Sequence, residues 1–204
     1  MLYLYKAQLY DELPMTIKFL AGVDEVGRGC LAGPVMSAAI ILNNKIDKKI
    51  LVDSKTISHK KRCKLADYII HNSYSIGIGI STNVEIDQLN IHNATLLSME
   101  RAILNLCIRP NLIYVDGLYK PKTSIKAKCF IKGDSRFPEI SAASIVAKVL
   151  RDNEMLYLNE KTIVYSFNKN KGYPTKDHKM ALEKFGPSIY HRKTFNPVYQ
   201  MSLS

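Results

Sequence analysis

The feature that most constrains this chain is a pair of adjacent carboxylates at the end of an apolar run. Ala21-Gly22-Val23-Asp24-Glu25-Val26-Gly27-Arg28-Gly29-Cys30-Leu31-Ala32-Gly33-Pro34-Val35 starts as a strand, Phe19 to Val23, and a second apolar run, Val35 to Leu42, leads away from it. Charges at the end of a buried strand are costly unless something compensates them. Hard divalent cations such as Mg²⁺ are the usual compensator, because they take carboxylate oxygens as ligands. Gly27 and Gly29 let the backbone turn sharply and approach a ligand, and Arg28 between them can fork onto phosphate or sugar oxygens. Neighbouring residues on a regular strand point to opposite faces, so Asp24 and Glu25 can share an ion only where the strand ends or bulges. A dinucleotide fingerprint does not fit, since Gly27, Gly29 and Gly33 lack the G-x-G-x-x-G spacing and the acids would repel phosphate. On these residues alone two readings stay open: a metal-dependent site for a polyanion, or a turn in which Arg28 simply pairs with Glu25.

The charge balance bears on that choice. The 204 residues carry 29 Lys and Arg against 18 Asp and Glu, a net charge of +11, which favours a polyanionic partner such as nucleic acid. No apolar run approaches the length of a membrane span, and Lys6, Asp11 and Glu12 stand where a signal peptide would have its core. Cys30, Cys63, Cys107 and Cys129 lie far apart without a C-x-x-C pair, so neither zinc nor a disulfide framework is expected, and a reducing cytoplasm suits the chain. The histidines are scattered as well, and are expected at the surface or in hydrogen bonds.

Residues 1–18 read as an N-terminal extension, 19–162 as the main domain and 163–204 as a basic, aromatic-rich helical region. After the two apolar runs come a helix from Ser58, a strand from Tyr74 to Ser81, and a helix of about four turns marked by Leu96, Leu97, Ile103, Leu104 and Cys107. Leu112 to Val115 is a short buried strand ended by Asp116-Gly117. Ile125 to Ile131 is another strand, followed by Gly133-Asp134-Ser135, and Pro138 opens a helix running to about Leu158. Asp24, Glu25, Asp116 and Asp134 thus each lie at or just beyond a strand. If those strands are neighbours in an α/β sheet, the acids gather on one edge, where ligand crevices form, and two divalent ions would relieve their repulsion and serve phosphodiester cleavage. Lys169, Lys171, Lys176, Lys179, Arg192 and Lys193, interleaved with Tyr165, Phe167, Tyr173, Tyr190 and Phe195, read as a nucleic-acid surface.

The segments AGVDEVGRG, LAGPV, DSK, VDG, KGDSRFPEISAASIVAKVLRD, KGYPT and HRKTFNPV, in this order, resemble bacterial ribonuclease HII from about Leu20 to Val198. The resemblance implies an RNase H-like α/β fold with a mixed central sheet flanked by helices, plus a small helical C-terminal region. It implies endonucleolytic cleavage of RNA in RNA–DNA hybrids and at ribonucleotides embedded in duplex DNA, with two Mg²⁺ or Mn²⁺ ions and 5′-phosphate and 3′-hydroxyl products. The family's acidic quartet falls on Asp24, Glu25, Asp116 and Asp134. Substrate contacts fall on Gly27, Arg28, Gly29, Lys55 and the junction-sensing Tyr173, and an accessory acid falls on Asp152. Cys30 departs from the family's usual proline, which frees φ and restores an N–H donor in the loop. The alternatives are a non-catalytic nucleic-acid-binding protein and a DNA nuclease of the same fold. A monomer is expected. The tail Gln200-Met201-Ser202-Leu203-Ser204 faintly resembles the peptides that dock on sliding clamps.

Overall fold

The computed structural model describes residues 18–52 and 57–201. The expected N-terminal extension up to residue 17, Lys55 and the last three residues of the clamp-like tail lie outside the described residues.

Five strands, β1 (Leu20–Val26), β2 (Val35–Ile41), β3 (Ser75–Ser81), β4 (Leu112–Asp116) and β5 (Ala127–Phe130), form one mixed sheet in the order β3-β2-β1-β4-β5. β1, β2 and β3 pair antiparallel, whereas β4 runs parallel to β1 and β5 parallel to β4. The C-terminal ends of β1, β4 and β5 therefore share one edge, where the sequence placed the acids. β2 is buried at all seven positions, because both faces of the sheet are covered.

Helices α1 (Lys49–Val52), α2 (His59–Asn72), α3 (Asn83–Leu104) and α4 (Pro138–Lys161) supply the covering layers. Alternation along the strands sends Ala21, Val23, Ile113 and Val115 into a cluster with Met99, Ala102 and Ile103 of α3. Ala38 and Ile40 face the other way, into a cluster with Ala66 and Ile69 of α2 and Ala142, Ala143 and Val146 of α4. Pro138 occupies the first turn of α4, where its missing N–H costs nothing. The small residues that follow let α4 lie close on the sheet: a Cβ on Gly22 would overlap the α4 backbone at Glu139 and Ile140.

The helix expected around Leu96 to Cys107 is longer at its start and shorter at its end. It begins at Asn83 with a capping box between Thr82 and Glu85, and bends at Asn90 (φ 66°), whose side chain accepts from the Asn93 amide at 3.1 Å. It stops at Leu104, before Cys107.

Three short helices close the chain, α5 (Phe167–Asn170), α6 (Lys176–Phe185) and α7 (Val198–Met201). Their apolar residues Phe167, Leu182 and Val198, with Tyr165, share one cluster with Met155 and Leu158 of α4 and with Leu31 and Ala32. The sequence reading put Tyr165, Phe167 and Arg192 on a nucleic-acid surface, and the structure corrects this. All three are buried, while Lys169, Lys176, Lys179 and Lys193 are exposed. The rings are needed as core by helices too short to hold themselves. Among the described residues no helix is long and apolar enough to cross a membrane.

Because Gly22 meets helix backbone and not a movable side chain, Gly22→Ala is expected to destabilise the fold by about 1–3 kcal/mol, the usual cost of overpacking. Gly29→Ala, at a position with open space around it, is expected to stay within about 0.5 kcal/mol of the parent. Chemical denaturation of both variants checks the contrast.

Candidate active site

The two ladders of β1 end at different places. Toward β2 the pairing runs to Val26↔Met36, but toward β4 it stops at Val23↔Val115. Asp24 and Glu25 thus stand on extended backbone that has a strand on one side only. β1 neither ends nor bulges at these residues, since its register with β2 runs unbroken to Val26, so the two acids leave the strand on opposite faces. What lets both come near Asp116 is that no β4 residue pairs with β1 beyond Val23. Asp24 lies on the α4 face of the sheet, 5% exposed, and bonds the Ser144 hydroxyl of α4. Its Oδ1 also accepts from the Glu25 amide at 2.7 Å. Asp116 closes β4 on the same face and accepts from the Gly133 amide at 2.6 Å. Asp134 follows in a 3₁₀ turn, Gly133–Ser135, and is buried.

Burial pushes the Asp24 carboxyl well above the usual carboxylate range, and the neighbouring Glu25 and Asp116 charges push it further. Glu25 is raised too, by burial first. Arg28 opposes that rise from 3.8 Å, and Asp116 adds to it. The loose Arg28 contact does not neutralise the cluster, so the salt-bridged turn falls short as an account of it. As the side chains lie, no three His, Cys, Asp or Glu among the described residues form a closed metal cage. The donor set nonetheless fits hard divalent ions: Asp24, Glu25 and Asp116 offer only oxygens, repel one another, and leave coordination positions for water and phosphate oxygens. Asp134 follows directly on Gly133, whose amide anchors Asp116.

The Gly27-Arg28-Gly29 loop is held from inside. Arg192, fully buried, donates to the carbonyls of Gly27 (2.7 Å), Arg28 (2.8 Å) and Gly33. Arg151 of α4, equally buried, donates to Pro34, Ala32 and Lys171. Gly27 sits at φ 96° with the Arg151 side chain where a Cβ would go. With the Gly27 and Arg28 carbonyls engaged, Arg28 and Gly29 form the exposed outer face of the loop, and the Arg28 side chain stands partly in solvent. Among the described residues no acceptor meets the Gly27, Arg28 or Gly29 amide.

Tyr173 lies across this loop. Its hydroxyl and the buried Cys30 thiol hydrogen-bond each other, and Cys30 Sγ also reaches the Lys171 carbonyl at 3.6 Å. Lys148 Nζ and the Arg151 guanidinium stand 5.7 and 5.9 Å from the Tyr173 ring. Asp152 accepts from Lys148 at 2.7 Å and is tied to this end of the site, not to the other acids. The sequence reading missed Ser144, Lys148, Arg151 and Arg192 as site residues. The available signal for Ser144 and Lys148 was their spacing of four residues from each other and from Asp152, which puts the three on one helix face.

The family model for Ribonuclease HII matches residues 21–198. The chain is 51% identical over 183 residues, 89% of its length and 98% of the relative's, to Ribonuclease HII of Pelagibacter ubique. Its fold is similar to the PCNA:RNase HII complex from Archaeoglobus fulgidus, with a TM-score of 0.74 at 24% identity over 87% of this chain and 95% of that one. It is also similar to Bst-RNase HIII in complex with Mn²⁺, with a TM-score of 0.64 at 19% identity over 91% and 70%.

A carboxyl raised on folding leaves stability intact below its ordinary value and costs stability as pH rises through the raised value. In metal-free buffer, Asp24→Asn is therefore expected to melt above the parent near neutral pH, with the gap shrinking as acid is added. Melting curves in EDTA from about pH 5 to pH 8 read this directly. A variant that melts below the parent throughout would contradict the electrostatic account.

Proposed function

We propose, from the premise that the chain belongs to the ribonuclease HII family and is a type II ribonuclease H acting on RNA–DNA hybrids, that it cleaves the RNA strand by a two-metal-ion mechanism. On this reading it also incises on the 5′ side of ribonucleotides embedded in duplex DNA, leaving 5′-phosphate and 3′-hydroxyl ends. The observation that carries the reading is the convergence of Asp24, Glu25 and Asp116 where the β1–β4 ladder stops.

Mg²⁺ or Mn²⁺ bound at these acids and Asp134 would activate a water and stabilise the leaving oxygen of an in-line displacement. The chain's own residues do the rest. Ser144 and the Glu25 amide fix the direction of Asp24, and the Gly133 amide fixes Asp116. The loop amides of Gly27, Arg28 and Gly29 approach the ribose 2′-hydroxyl, with Arg28 on the adjacent backbone. Lys55 joins the phosphate contacts on the strength of the family resemblance. Tyr173 lies against the next sugar, whose C2′ carries only hydrogens when it is DNA. A hydroxyl there would lose its water without gaining a partner. Asp152 holds Lys148 beside that tyrosine and is not itself a ligand of the ions. The exposed lysines 169, 176, 179 and 193 carry the nonspecific phosphate contacts. The enzyme works as a monomer in the cytoplasm, and the tail is a candidate contact for a sliding clamp.

A pure binder would gain nothing from acids clustered beside phosphate, and a DNA nuclease of this fold would need no 2′-hydroxyl contact. A cleavage assay on all-DNA duplex, RNA–DNA hybrid and DNA with one ribonucleotide, with and without Mg²⁺, separates the three. Cutting of the last two alone, with metal alone, is the expected result.

Asp116→Asn is expected to lower hybrid cleavage by roughly a thousandfold, the scale on which loss of one preorganised charged group acts, while filter binding persists. Near-parental turnover would remove Asp116 from the ligand set. Tyr173→Ala is expected to slow cleavage at a lone embedded ribonucleotide about tenfold more than cleavage of a continuous hybrid. Equal losses on both substrates, read beside a melting curve, would return Tyr173 to a packing role.

A further inference from the structure

Two histidines of the C-terminal region, His178 of α6 and His191, have no exposed surface at all. Their Nε2 atoms face each other at 3.0 Å. The partners at the far side of each ring decide where the protons are. His178 Nδ1 lies 2.9 Å from the Tyr173 carbonyl, an oxygen that can only accept, so this nitrogen carries a hydrogen. His191 Nδ1 lies 2.9 Å from the Ser188 amide, which can only donate, so this nitrogen is bare. A neutral imidazole has one N–H. His191 therefore carries its hydrogen on Nε2 and gives it to the bare Nε2 of His178.

One tautomer of each ring thus satisfies every contact, and the bonds run in one direction: Ser188 amide to His191, His191 to His178, His178 to the Tyr173 carbonyl. A second proton on either ring would set two N–H groups against each other. Burial lowers both rings' basicity, holding His191 at about 4, so the neutral form persists at neutral pH. Tyr165 and Phe167 wall the pair with rings 4.7 Å from His191 and 5.4 Å from His178. The Tyr173 carbonyl also accepts from the Thr175 amide at 2.8 Å, so both its lone pairs are engaged. At the other end, His191 bridges to Ala32 in the loop that Arg192 and Arg151 hold.

We propose that His178 and His191 are positioning residues for substrate discrimination: their fixed, one-way chain of hydrogen bonds anchors the Tyr173 peptide to the recognition loop, so that the Tyr173 ring keeps its place against the sugar beside the ribonucleotide. The inference rests on the reading of Tyr173 as the junction sensor. A merely structural pair would stabilise the fold without biasing one substrate over another.

Two measurements on the full chain test it. In histidine-labelled protein, ¹⁵N NMR is expected to find His178 protonated on Nδ1 and His191 on Nε2 at neutral pH; any other tautomer pattern, or an imidazolium, would overturn the proposal. In the cleavage assay, His178→Phe keeps the ring packing but loses both bonds. It is expected to lower the ratio of embedded-ribonucleotide to hybrid cleavage about five- to tenfold. His178→Asn, which retains an N–H donor near the Nδ1 position but loses the bond to His191, is expected to recover only part of that ratio. Tyr173→Ala is run beside them. If it leaves the ratio unchanged, the sensor reading fails and takes this inference with it. If it shifts the ratio while a folded His178→Phe does not, the histidine relay alone is refuted. Should His178→Phe fail to fold, the tautomer pattern and the His178→Asn ratio decide, and a folded His178→Asn with an undiminished ratio counts against the proposal.

Discussion

Two arginines with no exposed surface hold the molecule's working parts together. Arg151 and Arg192 spend their guanidinium donors on six backbone carbonyls, those of Ala32, Pro34, Lys171, Gly27, Arg28 and Gly33. Neither forms an ion pair with a carboxylate among the described residues. Removing a guanidinium from water is costly, and burial together with the like charge of Arg151 brings Arg192 down to about 10. What offsets the cost is the fan of carbonyl dipoles, most of them buried acceptors that gain donors in return. Each partner solves the other's problem. The loop after β1, the Lys171 segment before Tyr173 and the Arg192 segment thereby become one unit, although they are far apart in the chain.

The acids show how much of this was legible in the sequence. Carboxylates at the ends of apolar runs are conspicuous, because a buried strand does not otherwise end in charge, and their gathering on one edge followed once the strands were taken as neighbours in a sheet. The relation between Asp24 and Glu25 was not legible: it depends on β1 losing one neighbour before the other, which is a property of register and not of residue type. Arg192 was misread for a related reason. A basic residue among aromatics is as consistent with a phosphate-binding surface as with a buried clamp, and only tertiary packing tells them apart. Tyr165 and Phe167 went the same way. The first half of α3 was missed although Thr82 and Glu85 carry a capping signature, since exposed Val84 and Leu89 blur the apolar stripe on which the helix was judged.

The charge pattern of the site is uneven in a useful sense. Asp24 and Glu25 are crowded and raised beside Asp116, so they favour a cation, while Lys148 and Arg28 stand at the margins with partial exposure. On the proposed function, this puts a cluster of negative charge where metal would bind and positive charge beside it where phosphate would arrive. The overall excess of basic residues supplies long-range attraction, and the local acids do not cancel it because they are largely covered.

Helix α4 touches both halves of the site. Ser144 meets Asp24, and Lys148, one turn later and ~6 Å along the axis, meets the Tyr173 ring. On the proposed roles, the separation between the acids and Tyr173 is therefore set by the rise of a helix, which neither stretches nor compresses appreciably. If the proposed roles hold, the protein carries a gauge block, and a sugar-phosphate chain laid along it would be measured in steps of fixed length. Such a gauge tolerates many changes of side chain but no change of count. One residue added between Ser144 and Lys148 would turn the far end by about 100°, and the two jaws of the caliper would no longer address the same strand.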